Sequence, residues 1–268
     1  MDGVLRELSL LVKTLIGWFC LFAILAVFLF SFGFQDTQMW GALLPVPSLQ
    51  STPAAVEIFS HIRQDLLPED VRLISLSPFA GFATQVMVAL LASFILTLPV
   101  LLYRILGYLA PALHANERRF ALIVLLPAML LFLAGAAFAY YLVIPATFKI
   151  LYSFTPELGA QPFFLVDEFL STIAFLMISV GLMFLVPVMM VFLSWIGLIQ
   201  AAFWRVWWRH SLLGFLVFAA FVTPDGSGVT MLMLSLPMAL LYASGLSVAS
   251  YVERRRLVGD RAGGTLEE

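Results

Sequence analysis

Charge is scarce in this chain. Only 11% of its 268 residues are Asp, Glu, Lys or Arg, and 62% are hydrophobic. An ordinary globular domain is roughly 25% charged. A water-soluble chain this apolar would have no polar skin for its core, so composition alone assigns an integral membrane protein. Cysteine is nearly absent. The one thiol, Cys20, lies in the first apolar run; it excludes a disulfide framework and a cysteine metal site, and reads as a small packing residue. No internal repeat appears at any useful period, which counts against transporters built from repeats. The first apolar run follows few basic residues and lacks a small-residue cleavage site, so a retained helix is expected rather than a removed signal peptide.

Ionisable residues are also missing where a pump would need them. Lys13 sits at the start of the first run and can snorkel, and the interiors of the other runs hold no Asp, Glu, His, Lys or Arg. Proton- or ion-coupled carriers bind charge at membrane depth and require such groups. Intramembrane metalloproteases need His and carboxylate ligands, and a serine protease needs a base. The three histidines, His61, His114 and His210, fall in loops or at the ends of runs. The sequence therefore points away from an enzyme and toward a receptor, scaffold or passive conduit, with no cofactor and no metal.

What is present is length in apolar runs. A spanning helix needs about 20 such residues. Six candidate spans cover about 10–34, 82–103, 120–145, 169–198, 208–223 and 229–251 of one polytopic membrane domain, residues 1–268. The fifth is short, since its purely apolar part, 212–222, rises only about 17 Å against a hydrocarbon core of about 30 Å. Trp204, Trp207 and Trp208 beside it read as interfacial anchors.

Orientation follows from the flanks. Of 14 Lys and Arg residues, Arg6, Lys13, Arg104, Arg118, Arg119, Arg205, Arg209, Arg254, Arg255, Arg256 and Arg261 share one side, and Arg63, Arg72 and Lys149 the other. The basic side is cytoplasmic, so six spans place both termini there. On the opposite face, residues 35–77 carry most of the loop acids and four prolines, with a short helix expected around 54–66. Residues 146–168 form a second outer loop, and 223–228 a tight third one. Pro99, Pro127, Pro145, Pro187 and Pro237 lie within or at the ends of spans. Each removes a backbone donor, and kinks at several of them predict a concave all-α bundle. The ending, Gly-Gly-Thr-Leu-Glu-Glu, reads as a disordered tail.

Four stretches carry a family resemblance. They are Ser77-Pro78-Phe79 with Pro99-Val100-Leu101-Leu102-Tyr103; Leu109-Ala110-Pro111-Ala112-Leu113-His114-Ala115-Asn116-Glu117-Arg118-Arg119; Gly135-Ala136-Ala137-Phe138-Ala139-Tyr140 followed by Pro145; and Thr223-Pro224-Asp225 with Leu236-Pro237-Met238. In this order and spacing, with six spans and both ends inside, the chain resembles the TatC family, core subunits of the twin-arginine protein translocase. The resemblance implies a glove-like fold in the cytoplasmic (inner) membrane. It also implies binding of the twin-arginine signal peptides of folded precursors at the cytoplasmic face, and scaffolding of single-span TatA/TatB-type partners. Export would be driven by the proton motive force, with self-association in a larger complex and no role for nucleic acid.

Two adjacent arginines on a ligand call for carboxylates, because a guanidinium fork pairs bidentately with them. Glu117, on an otherwise basic face, matches the family's recognition glutamate, and Glu7, followed by Leu8, matches the acidic position of its N-terminal segment. Arg118 and Arg119 belong to the same motif, and Tyr108 falls where the family often has an aromatic. The alternative for Glu117 is a helix-capping carboxylate that offsets Arg118 and Arg119. Leu185 and Ala243 stand where the family often carries glutamates. Thr223, Asp225 and Thr230 around the last outer turn are candidates for docking a partner helix, or simply for capping. A rival reading, a small-molecule permease using a proline-kinked cavity, predicts solute uptake into liposomes by this chain alone.

Overall fold

A computed structural model describes the backbone of residues 2–39, 42–48, 51–67, 71–109, 115–157 and 163–264, and the side chains of 12–13, 15–33, 48, 51–67, 71–105, 123–153 and 163–255. Among the described residues, four helical stretches are long and apolar enough to cross a membrane: Ala80–Ile105, Ile123–Ser153, Val166–Trp195 and Gly228–Arg255. Two further apolar helical stretches, Leu15–Ser31 within a longer helix and the short Trp208–Val222, accompany them. The chain divides into two compact units, residues 1–108 with 152–174 and residues 109–151 with 175–268.

In the first unit, α1 (Asp2–Ser31) leads into an antiparallel hairpin of β1 (Gly33–Met39) and β2 (Ala42–Ser48). The apolar run reads through to residue 34, yet the helix stops at Ser31. A Cβ on Gly33 would collide with the carbonyl of Thr52, so the chain passes there only as glycine. The helix expected around 54–66 is α2 (Ala54–Leu66), started by Pro53, whose missing N–H costs nothing at a helix start. The amide of Ala54 donates to the carbonyl of Phe32 at 2.9 Å, which fixes α2 to the end of α1. Its buried Ala54 and Ala55 then pack with Leu29 of α1, with Val88 and Ala89 of α3 (Ala80–Leu109) and with Leu170. A strand the sequence reading did not foresee, β3 (Arg72–Ile74), pairs in parallel with β4 (Phe163–Leu165), which enters α6 (Val166–Met183).

Between them run α4 (Ala115–Phe138) and α5 (Ile144–Glu157), joined by a π-helical turn at Ala139–Val143. The third apolar run was expected to end at Pro145, but the helix continues past it to Glu157. A proline cannot donate to the carbonyl four residues back. The wider turn just before Pro145 rearranges that ladder and lets the helix go on. Pro187 behaves differently. The helix breaks at Phe184 and Leu185, and α7 (Val186–Trp195) restarts with the proline in its first turn.

The second unit is built by close approach. A Cβ on Gly135 of α4 would lie 2.7 Å from Cγ of Phe184 and 3.0 Å from Cα of Gly181. Gly181 in turn faces the fully buried ring of Phe132. Gly245 of α10 (Gly228–Gly264) lies against Pro187, where a Cβ would fall 2.8 Å from the ring carbon. Without a hydrophobic drive between helices in lipid, such small-residue contacts are what let backbones meet. The short α8 (Ala201–Val206) and α9 (Trp208–Val222) complete the unit around α10.

Gly135→Val forces a branched side chain against both a ring and a backbone, and should destabilise the protein by about 1–3 kcal/mol. Gly214 of α9 has nothing within 4 Å of its built Cβ, so Gly214→Ala should be neutral or slightly stabilising through helix propensity. Thermal unfolding of the detergent-purified protein checks both: a lowered Tm for the first, none for the second.

Candidate functional site

The recognition residues expected from the sequence fall within helices whose side chains here lie outside the described residues. Glu7 and Leu8 are within α1, Tyr108 within α3, and Glu117, Arg118 and Arg119 within the first turns of α4. The neighbouring described residues show how α1 and α3 are held together. The guanidinium of Arg104 lies against Gly17, where any side chain would displace it. On the next residue of α1, the indole N–H of Trp18 donates to the carbonyl of Thr97 at 3.2 Å, and Trp18 stacks on Phe22 and meets Phe94 edge-on. At the other end, Gln85 donates to the carbonyl of Phe30 at 2.9 Å.

The turn after α9 is fully described. Thr223 is buried, and its hydroxyl donates to the carbonyl of Ala219 at 2.8 Å. Ser227 is the N-cap of α10, its Oγ accepting from the amide of Thr230 at 3.3 Å. The Asp225 carboxylate gathers both hydroxyls: Thr230 donates to it at 2.8 Å, and Ser227 donates to Oδ2. Gly226 supports the turn with a positive φ of 59°. Thr223, Asp225 and Thr230 are thus brought together, with the hydroxyl donors of both threonines spent inside the chain. What faces outward is apolar, namely Phe221, 82% exposed, and Val229, 68% exposed. Ser227, the cap itself, was missed in the sequence, although a serine two residues after the aspartate and directly before a helix is the expected signal.

A carboxylate overlooked in the sequence reading organises the other end of the second unit. Glu253 of α10 accepts from the amide of Ala201 at 2.8 Å, capping α8. Trp204 is fixed on both sides: its indole donates to Ser194 at 3.2 Å, and its carbonyl accepts from the hydroxyl of Tyr242 at 2.6 Å. Arg205 reaches Ser250 at 3.5 Å. Trp207 and Trp208 are exposed, with Trp207 stacked on Phe203 and the Arg209 guanidinium 5.5 Å from the Trp208 ring centre. Leu185 is half-buried at the break before α7, and Ala243 is exposed on α10. Among the described residues, no group of three His, Cys, Asp or Glu side chains could hold a metal ion.

Comparison with known proteins gives these features a context. The family described as "TatC: Sec-independent protein translocase protein (TatC)" matches residues 5–237. The chain is 36% identical over 230 residues to the Sec-independent protein translocase protein TatC of Cenarchaeum symbiosum, covering 85% of this chain and 87% of that protein. It is 30% identical over 203 residues to the TatC of Aquifex aeolicus, covering 74% and 83% of the two chains. A crystal structure of the twin arginine translocase receptor TatC superposes with a TM-score of 0.71 at 26% identity, over 92% of this chain and 99% of that one. The match runs from the first turns of α1 into α10, and on it the chain belongs to the TatC family of Sec-independent protein translocase components, transport proteins rather than enzymes.

Proposed function

We propose that this protein is a twin-arginine signal receptor and scaffold, binding the signal peptides of folded precursors at the cytoplasmic face. The observation that carries this reading is the family match over residues 5–237, which includes the Glu117-Arg118-Arg119 stretch. The similar solved structure is itself that of a translocase receptor. In this reading all six apolar helices span the inner membrane, with kinks at the prolines and both termini in the cytoplasm. The short helix α9 crosses with its flanking residues at the interface. Eleven of the 14 Lys and Arg residues then lie inside.

Glu117 and Glu7 receive the arginine pair, with Leu8, Tyr108, Arg118 and Arg119 shaping the surroundings. A carboxylate suits this role on chemical grounds, since a guanidinium fork makes two parallel hydrogen bonds with it and an ammonium cannot. A twin-arginine peptide should bind the purified protein about tenfold or more tightly than its twin-lysine counterpart, and Glu117→Ala should remove most of that preference. Equal binding of the two peptides, measured by fluorescence anisotropy, would refute the assignment.

Single-span TatA/TatB-type partners dock, in this reading, beside the turn at Thr223, Asp225 and Thr230, and the complex self-associates and draws on the proton motive force. With the threonine hydroxyls engaged internally, the docking surface is the apolar Phe221 and Val229 flank and the turn backbone. A photo-crosslinker at Val229 should trap a single-span subunit in membranes, and Asp225→Ala should lower the yield by loosening the turn. Repeated failure to crosslink from Phe221, Pro224 and Val229 would place the docking site elsewhere.

A further inference from the structure

We propose that the first unit binds one two-chain phospholipid with an amine headgroup, seated astride a ridge of α3. The ridge is Phe82, Val86 and Leu90, one residue per turn. Two clefts flank it and share these three side chains. One, of about 360 Å³, lies between α1 and α3 and is walled by Phe19, Phe22, Ala26 and Phe30. The other, of about 600 Å³, lies between α3 and α6, with Ala83 and Met87 on the α3 side and Asp167, Glu168 and Ser171 on the α6 side.

The shape selects the occupant. A transmembrane helix is about 10 Å across and would lie over the smaller cleft, not within it. An acyl chain fits each, and a single ridge between two apolar clefts suits two chains joined at one glycerol. The rim of the ridge is exposed, Phe82 at 61% and Leu90 at 40%, so chains can enter from the side. Both clefts lie against the membrane-crossing stretch Ala80–Ile105.

The charge selects the headgroup. Among the described residues no Lys, Arg or His lines either cleft, whereas two adjacent exposed carboxylates, Asp167 and Glu168, line the α6 side of the larger one. They belong to the first turn of α6, where negative charge complements the helix dipole. An anionic lipid would meet repulsion there. The ethanolamine ammonium, held by its short linker beyond the phosphate, meets two acceptors, while the chains take the apolar walls.

The test is a lipid titration of the delipidated full-length protein by native mass spectrometry. It compares phosphatidylethanolamine with phosphatidylglycerol carrying identical chains. One equivalent of the amine lipid should bind about tenfold more tightly than the glycerol lipid. The double variant Asp167→Asn with Glu168→Gln should shrink that gap to about twofold, with an unchanged Tm in lipid-free detergent. Filling the clefts with Ala23→Trp or Ala83→Trp should weaken both lipids alike. Equal affinities for the two lipids, a preference untouched by the amide variants, or binding indifferent to both tryptophans would overturn the proposal.

Discussion

A polar group carried into hydrocarbon has to find its hydrogen bond within the chain, because no solvent is there to supply one. Much of this structure follows from that constraint. The hydroxyls of Thr84, Thr97 and Thr223 each fold back onto the carbonyl four residues earlier, at 2.7–2.8 Å. Side chains with longer reach are used between helices instead: Trp18 to Thr97, Gln85 to Phe30, Trp204 to Ser194 and Tyr242 to Trp204. These bonds are also the tethers that set which helices meet. Ser93 and Thr147 bury hydroxyls that the described residues leave without a hydrogen bond, a cost that nothing in the structure explains.

Within that constraint the two units are held by different means. The first relies on aromatic contacts along α1, with Trp18 on Phe22, Phe28 on Phe32 and Phe30 edge-on to Phe82, together with the small residues of α2. The second relies on glycines that bring α4, α6, α7 and α10 into backbone contact. Its polar fasteners lie at the helix ends, where Asp225 gathers the turn into α10 and Glu253 caps α8. Tied in this way at its helix ends, the second unit keeps long apolar side chains such as Leu213, Val217, Leu236 and Leu240 exposed.

The sequence is a good guide wherever period and punctuation agree. The apolar runs mark the helices, and Pro53 before an amphipathic stretch marks α2 to the residue. It is a poor guide where one local rule is overruled by its neighbours. Pro145 reads as a helix end, but the preceding π turn absorbs it. Residues 33–34 read as membrane, but Gly33 is pinned by the chain at Thr52. The pairing of Arg72 with Phe163 and the bond from Ala201 to Glu253 join residues far apart in sequence, and no local pattern announces either. For the candidate site, the turn at Asp225 is legible because all its parts lie within a few residues. Glu117 and Glu7 are singled out by the family resemblance; taken alone, a carboxylate beside arginines near a helix start reads as readily as a cap.

The parallel pair β3–β4 bears on biogenesis. Parallel strands cannot be joined by a tight turn; they need a crossover, and here the crossover is α3, α4 and α5. While the ribosome is still making those helices, β3 has no strand to pair with, and its donors and acceptors must stay in water until β4 emerges. The strand pair therefore closes late, joining residues 72–74 to 163–165 only after every helix between them has been made.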